Sequence, residues 1–101
     1  MRIEVLLTPD CRHAVEALVR LRSALEMMGL HDATFTCRTI SKPSEAIAAD
    51  FRGSPGYYVD GRDIFPGDGA PTLGCRTFVD GTLALPTVGH LRDALQSCDP
   101  L

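Results

Sequence analysis

The residues best suited to chemistry stand in one short segment, Cys11-Arg12-His13. The pattern predicts that a helix begins at Cys11, with Asp10 as its N-cap. The thiolate form of cysteine is the nucleophile in disulfide exchange, and it is stabilised by the free N–H groups of a helix N-terminus and by a cationic neighbour. Cys11 is therefore the candidate catalytic nucleophile, and Arg12 and His13 are the candidate sources of positive charge beside it.

The remaining cysteines offer neither a redox pair nor a metal site by their spacing. Cys37, Cys75 and Cys98 are far apart in the chain, and the sequence has no Cys-x-x-Cys motif and no zinc-type pairing of cysteine with histidine. We therefore predict no bound metal and expect free thiols in a reducing compartment. Cys37 falls in the middle of a predicted strand, which favours a core position for it.

The composition is that of a single domain covering residues 1–101. Apolar residues make up 45% and charged residues 23% of the chain, which is ordinary for a globular protein large enough to bury one core. The net charge of −3 gives no electrostatic reason to expect nucleic acid or an anionic membrane as a partner. We recognise no export signal and no membrane span, so we expect a cytoplasmic protein.

The predicted elements alternate between strands and helices, then end with two consecutive strands and a helix. They are strand 3–7, helix 11–28, strand 33–40, helix 41–51, strand 57–59, strand 75–79 and a last helix capped by Thr87. This β-α-β-α-β-β-α order predicts an α/β fold with a mixed four-stranded sheet, helices on both faces and an antiparallel last pair of strands.

Glycines and turn residues predict where these elements end. Gly29 and Gly53 are expected to end the first two helices. Turns are expected at Asp60-Gly61 and at residues 80–81. The three glycines and two prolines of segment 62–74 predict a loop.

Several segments of the chain match one protein family. They are Cys11 after the first strand, Phe51-Arg52-Gly53-Ser54-Pro55, Val59-Asp60-Gly61-Arg62-Asp63 with Phe65 and Pro66, Cys75-Arg76-Thr77-Phe78, Pro86-Thr87 and residues 91–95. Together with the element order, these segments resemble the thioredoxin superfamily, at a size near that of glutaredoxins. A closer resemblance is to small actinobacterial-type thioredoxin-family proteins, some of which are called alkylmercury lyases. The resemblance covers nearly the whole chain and implies a thioredoxin-like fold.

The resemblance implies roles for the residues around Pro55. In the superfamily the matching proline follows a cis peptide bond beside the reactive thiol, and such bonds are rare features of a structure. Ser54 then offers its backbone to a substrate strand. Tyr57 and Tyr58 alternate across their strand, so one is expected to face the core and the other the site. We predict substrate contacts for Ser54, Pro55 and Tyr57, and also for Arg12.

The motif departs from the family pattern because its second thiol is missing, so no disulfide can close within residues 11–14. Cys75 is the only other thiol that the resemblance covers, and it is the candidate resolving residue. If Cys75 begins a return strand, it lies about 10–15 Å from Cys11 at ~3.3 Å per residue, whereas a disulfide requires Cα atoms within roughly 7 Å. A buried strand cysteine is therefore the favoured interpretation of Cys75, and the resolving role stays open.

Three functions are compatible with these residues. The first is a monothiol thioredoxin- or glutaredoxin-like oxidoreductase without a bound cofactor, in which Cys11 attacks a protein or small-molecule disulfide and an external low-molecular-weight thiol releases the product. The second is a redox-inactive binding module that holds a peptide or a second copy of itself, as in a homodimer. The third is organomercurial chemistry, which needs two converging thiols and a proton donor, whereas the sequence supplies one well-placed thiol.

Overall fold

A mixed sheet built on the apolar strand near the N-terminus forms the centre of the fold. A computed structural model describes residues 2–65, 70–76, 78 and 84–98, with Cys75 described by its backbone. In chain order, its elements are β1 (Ile3–Leu7), α1 (Ala14–Met27), β2 (Phe35–Thr39), α2 (Pro43–Ala49), β3 (Arg52–Ser54), β4 (Gly56–Val59), β5 (Arg62–Asp63), β6 (Thr72–Cys75) and α3 (Val88–Ser97).

β1 is an inner strand of a four-stranded sheet with the order β2-β1-β4-β5. It pairs parallel with β2 and antiparallel with β4, and β5 pairs antiparallel with β4. β3 and β6 form a separate two-stranded parallel sheet. The described part of the chain is thus an α/β fold with three helices, a four-stranded mixed sheet and a small parallel sheet.

Apolar side chains cover both faces of the four-stranded sheet. Alternate residues of a strand point to opposite faces, so Val5 and Leu6 of β1 belong to different clusters. The first cluster packs β1 and β4 against α1 and α3, and its buried members are Ile3, Val5, Ala17, Leu21, Ala24, Leu25, Tyr57, Val59, Ile64, Phe78, Leu85, Leu91 and Leu95. The second packs the same two strands against α2, and its buried members are Leu6, Ile40, Ala46, Phe51 and Tyr58. Helices therefore lie on both faces of the sheet, as the sequence predicts.

The end of α1 is confirmed as predicted. Gly29 has a φ of 76°, and the N–H of Leu30 donates to the carbonyl of Leu25 at 2.9 Å, which is the hydrogen bond of a Schellman motif. α1 has 14 residues. Within the described ranges, no helix is both long and apolar enough to cross a membrane.

Two further local predictions are confirmed. Asp60 and Gly61 have φ values of 51° and 84°, the positive pair that a two-residue type I′ turn requires, and they join β4 to β5. Thr87 caps α3, because its hydroxyl oxygen accepts a hydrogen bond from the N–H of His90 at 3.1 Å. The turn predicted at residues 80–81 lies outside the described residues.

The second helix ends earlier than predicted. α2 ends at Ala49, and Asp50 adopts the left-handed conformation with a φ of 52°. Aspartate is one of the few residues other than glycine that visit this conformation readily. The prediction that Gly53 ends the helix is therefore wrong, and Gly53 lies within β3 instead.

The strand predicted at residues 75–79 does not join the main sheet at Cys75, where the chain is described, and residues 77 and 79 lie outside the described residues. The fourth strand of the main sheet is β5, which follows the hairpin turn directly. β6 ends at Cys75 and pairs with β3 rather than with the main sheet. Both β5 and β6 lie largely in the segment predicted as a loop. A two-residue strand is too short to show an alternating pattern, and the pairing of β3 with β6 joins segments that are distant in the chain.

Candidate functional site

Cys11 lies in a turn between β1 and α1, and its free thiol is partly exposed. Its N–H donates to the carbonyl of Thr8 at 3.2 Å, and its own carbonyl accepts from the N–H of Ala14 at 3.3 Å. α1 begins at Ala14 with His13 as its N-cap, and among the described residues no side chain forms a capping hydrogen bond to the helix. The predictions that the helix begins at Cys11 and that Asp10 caps it are therefore wrong, because one short turn separates Cys11 from the helix.

The peptide bond between Ser54 and Pro55 is cis, as predicted. Both residues are buried where β3 ends and β4 begins. The hydroxyl oxygen of Ser54 accepts a hydrogen bond from the N–H of Thr8 at 3.1 Å, and Thr8 accepts from Cys11 through its carbonyl. Thr8 thus connects the two segments, and we call Thr8, Cys11, Ser54 and Pro55 the Cys11 site.

The pairing of β1 with β4 explains why these segments meet. Leu6 lies opposite Gly56 in the antiparallel register, so the chain that leaves β1 is adjacent to the chain that enters β4. A Cβ atom on Gly56 would lie 2.8 Å from the ring of Tyr58, which favours glycine at this close approach. Sequence reasoning did not identify Thr8 as a site residue, because its hydrogen bond to Ser54 joins residues 46 apart and leaves no local motif.

The backbone carbonyl of Ser54, which the resemblance implies is offered to a substrate strand, is hydrogen-bonded within the chain. Ser54 lies opposite Cys75 in the parallel pairing of β3 with β6. Its carbonyl accepts a hydrogen bond from the N–H of Arg76 at 3.1 Å. β6 therefore occupies this edge of β3 from within the chain, and the sequence missed it because the segment was predicted as a loop.

Cys75 is the last residue of β6 and does not begin a return strand of the main sheet. The premise on which its predicted separation from Cys11 rested is therefore wrong. The backbone of Cys75 lies opposite Ser54, which is a member of the Cys11 site.

Tyr57 is a core residue, so the predicted substrate contact does not agree with its position. Its side chain is fully buried, and its hydroxyl donates to the carbonyl of Ala17 at 3.3 Å. Burial raises the pKa of Tyr57, the Arg20 guanidinium opposes this increase, and negative charge on Cys11 raises the pKa further. The ring of Tyr57 is thus closed off from solvent and from a substrate.

Arg12 and His13 present basic groups beside the Cys11 turn. Arg12 is exposed and His13 is partly exposed. Within the described part of the chain, neither side chain forms a hydrogen bond or an ion pair. Both side chains are therefore available to a molecule that approaches Cys11.

The other two thiols with described side chains lie outside the Cys11 site. Cys37 is exposed on β2, so its predicted core position is wrong. The reason is that β2 is an edge strand and four of its five residues are exposed. Cys98 is partly exposed and packs against the first cluster.

An open cleft borders the Cys11 turn at the carboxyl ends of β1 and β2. Its volume is about 330 Å³, and it is lined by Thr8, Pro9, Asp10, Ile40, Ser41 and Leu73. In α/β sheets, ligands commonly bind outside the carboxyl ends of parallel strands. Among the described residues, no group of three or more His, Cys, Asp or Glu side chains gathers to hold a metal ion.

No protein-family model, curated protein or solved structure matches this chain.

Proposed function

We propose that this chain is a thioredoxin-like monothiol protein that exchanges disulfides through Cys11. The observation that carries the proposal is the partly exposed, free thiol of Cys11. Cys11 lies in a turn that is hydrogen-bonded to Thr8, and Thr8 is in turn hydrogen-bonded to Ser54. The mixed sheet with parallel β1 and β2 and antiparallel β1 and β4, with helices on both faces, supports the thioredoxin-like topology. The cleft beside the turn gives a substrate room to approach.

The exchange proceeds in two steps that conserve atoms and electrons. The Cys11 thiolate attacks one sulfur of a disulfide R–S–S–R′, which forms Cys11–S–S–R and releases R′–S⁻ to take a proton from solvent. A low-molecular-weight thiol, R″–SH, then loses its proton and attacks the R sulfur of the mixed disulfide. This step forms R–S–S–R″ and restores the Cys11 thiolate, so neither step requires a bound cofactor.

The basic neighbours of Cys11 favour a substrate that carries negative charge. The Arg12 guanidinium is exposed, and it can pair with a carboxylate of a glutathione adduct or an acidic peptide through charge-assisted hydrogen bonds. His13 is the N-cap of α1, and its protonated imidazole would stabilise negative charge on the sulfur. We therefore propose glutathionylated or comparable acidic disulfides as the substrate class.

The proposal is tested by the release of glutathione from a glutathionylated peptide, with free glutathione as the external thiol. We expect the Cys11→Ser variant to show only the rate of the uncatalysed exchange, because serine cannot form the mixed disulfide. Cys37→Ser is the matched control, since Cys37 is exposed but lies on β2. The control should keep the rate of the unaltered protein. Equal rates for the unaltered protein and Cys11→Ser would refute the proposal.

A second candidate function is a binding module in which the fold is kept without redox chemistry. The observation that favours it is β2, an edge strand with four exposed residues. Among the described residues its outer side pairs with no strand, so it could add a strand from a peptide or from a second copy. Analytical ultracentrifugation and peptide binding distinguish the two candidates. A binding module behaves identically when reduced and oxidised, whereas the exchange protein forms a mixed disulfide at Cys11 under oxidation.

A further inference from the structure

β2 has one side on which no strand of the described chain lies. The N–H of Ile40 donates to the carbonyl of Leu7 at 2.8 Å, so the backbone groups of Ile40 point towards β1. Backbone groups alternate in direction along a strand, and the N–H and carbonyl groups of Phe35, Cys37 and Thr39 therefore point away from β1. Because the main sheet ends at β2, these outward positions are open to the strand of a partner.

The side of α1 next to this edge is apolar and exposed. The guanidinium of Arg22 donates to the carbonyl of Ala33, just before β2, and lies 5.1 Å from the centre of the Phe35 ring, whereas α3 packs against the other side of α1. Residues three, four or seven apart share a helix face. Val15 and Val19 therefore lie on the same side as Arg22, and they are 76% and 52% exposed.

Cys37 shows that the sheet is uncovered at this edge. It lies beside Val5 in the parallel register of β1 and β2, and residues in register point to the same face of a sheet. Val5 is fully buried in the first cluster, whereas Cys37 on the same face is exposed. The described helices thus cover β1 but do not cover the middle of β2, and a partner that extends the sheet would have to supply the missing cover.

A second copy of the chain can pair with this edge by two-fold symmetry. An axis perpendicular to the sheet at Cys37, the middle residue of the five-residue strand β2, makes the two strands antiparallel. It sets Cys37 opposite Cys37 of the second copy, and Phe35 opposite Thr39. These are the outward positions, and each pair then exchanges two hydrogen bonds, so the whole strand is used.

The charges on the other face of the sheet favour this register. Arg38 of one copy lies opposite Thr36 of the second copy, and Glu4 lies beside Thr36 in the register of β1 and β2. Only the short threonine then separates the guanidinium from the carboxylate. Among the described residues, neither Arg38 nor Glu4 forms an ion pair. An axis at Arg38 would instead set this residue opposite itself, and directly opposed like charges destabilise a strand pair.

The same axis brings the two α1 helices together. Neighbouring strands are about 4.8 Å apart, so helices that cover the two strands on either side of the axis lie about 10 Å apart. Packed helices have axes roughly 8–10 Å apart. Val15 and Val19 of the two copies would then cover each other and the exposed Cys37 side chains between them.

We infer that this chain forms a two-fold dimer through the β2 edge, by which we mean Phe35–Thr39 together with Val15 and Val19. The two four-stranded sheets join into one continuous sheet, and each copy supplies the cover that the other lacks. A peptide that added to β2 would leave the two valines exposed, which favours a second copy as the occupant. The inference does not rest on the exchange proposed for Cys11.

Sedimentation equilibrium measures the dissociation constant of the dimer. Val15→Lys sets two lysines close to the axis, and it should raise the dissociation constant at least about tenfold, because juxtaposed like charges are costly at an interface. Ile47→Lys is the matched control, since Ile47 is 68% exposed on α2, across the sheet from α1. The control should keep the dissociation constant of the unaltered protein, and both variants should keep its circular dichroism spectrum.

An exchange of charges tests the register. Arg38→Glu sets a carboxylate near Glu4 of the second copy and should raise the dissociation constant. The double variant E4R/R38E restores opposite charges across the axis and should bring the dissociation constant back towards that of the unaltered protein. A double variant that dimerises no more tightly than Arg38→Glu overturns the proposed register.

Oxidation locates the axis. The variant C11S/C75S/C98S retains Cys37 alone, and opposed residues of a hydrogen-bonded pair have Cα atoms about 5.5 Å apart, within the range of a disulfide. Diamide, which takes up the two thiol hydrogens, should therefore link the two copies. In the control C11S/C37S/C75S/C98S/T39C the two thiols lie on the same face but four residues apart, or about 13 Å, and should not be linked.

Three outcomes overturn the inference. One is a protein that remains monomeric at about 1 mM, which leaves β2 free for a strand from another protein. Another is a dimer that Ile47→Lys weakens and Val15→Lys does not, because such a dimer associates through α2. The third is equal cross-linking in the two single-thiol variants, which would place the axis away from Cys37.

Discussion

Gly53 combines an unusual backbone conformation with a close neighbour. Its φ is 118°, and a Cβ atom there would lie 3.0 Å from the Cβ and 3.1 Å from the backbone nitrogen of Arg76. Side chains rarely adopt this conformation, and Arg76, the residue after β6, leaves no room for one. We therefore expect Gly53→Ala to lower the free energy of unfolding by about 2–3 kcal/mol, as measured by urea denaturation.

Gly61→Ala is the matched control for this substitution. Gly61 also has a positive φ, of 84°, but no atom of the described residues would lie within 4 Å of a Cβ atom at this position. Gly61→Ala should lower the free energy of unfolding by about 1–2 kcal/mol, because of backbone strain alone. Equal decreases in the free energy of unfolding for the two variants would show that the close contact between Arg76 and Gly53 does not add to the cost of Gly53→Ala.

The sequence indicates a structural role for Gly53 but predicts the wrong one. A glycine after a helical pattern predicts a helix end, and here Asp50 supplies that end with a φ of 52°. Gly53 is needed for the close approach of Arg76, a contact that depends on tertiary structure. Cys11 and Pro55 could be predicted because each belongs to a local motif. The hydrogen bond between Thr8 and Ser54 could not, because it joins residues 46 apart in the chain.

Arg76 joins the elements around the Cys11 site to the hairpin of β4 and β5. Its guanidinium forms an ion pair with Asp63 at 2.6 Å, donates to the carbonyl of Phe65 and lies 5.2 Å from the centre of the Phe78 ring. The side chains of Arg76 and Asp63 are only 9% and 6% exposed. The pair is therefore buried, and removal of one partner leaves an uncompensated charge.

Asp63→Asn should lower the free energy of unfolding by about 3–5 kcal/mol. The exposed pair of Glu16 and Arg20 is the control, and Glu16→Gln should cost less than about 1 kcal/mol. Both values are measured by urea denaturation at neutral pH. If Asp63→Asn lowers the free energy of unfolding no more than Glu16→Gln does, the buried pair of Asp63 and Arg76 does not stabilise the fold.

Elements defined by local pattern were predicted well, and elements defined by partners were not. β1, α1 and the Asp60-Gly61 turn each carry their own signal, whether periodicity, a glycine stop or a pair of turn residues. β6 contains a glycine, pairs with a three-residue strand far away in the chain, and includes a register shift. No window of sequence contains that pairing, so the surroundings of Cys75 could not be predicted.

At the scale of the whole molecule, β4 belongs to both hydrophobic clusters. Tyr57 lies in the first cluster and Tyr58 in the second, because consecutive strand residues face opposite sides. The sequence predicted this alternation but assigned one ring to the candidate site. Both rings are buried, since α2 closes the second face as α1 and α3 close the first.

Alkaline pH should therefore destabilise the packing of both hydrophobic clusters. Burial raises the pKa of Tyr58 to about 12, and burial also raises the pKa of Tyr57. A group whose pKa is higher in the folded than in the unfolded state stabilises the fold fully below the unfolded pKa, which is about 10 for tyrosine. That stabilisation is lost as the pH rises through the folded pKa. The free energy of unfolding should thus fall from about pH 10 to about pH 12, as measured by urea denaturation at each pH.

Tyr58→Phe isolates the part of this decrease that belongs to the second cluster. The variant loses the hydrogen bond from the Tyr58 hydroxyl to the carbonyl of Asp50 at 2.9 Å, which should lower stability at neutral pH by about 1 kcal/mol. Because phenylalanine does not ionise, the decrease above about pH 10 should be less steep in the variant. Its ultraviolet absorbance should still show one tyrosine, Tyr57, that ionises only at a pH above that of free tyrosine. The expectation is contradicted if the free energy of unfolding depends on pH identically in the variant and the unaltered protein. Tyr58 would then make no contribution to the decrease in stability at alkaline pH.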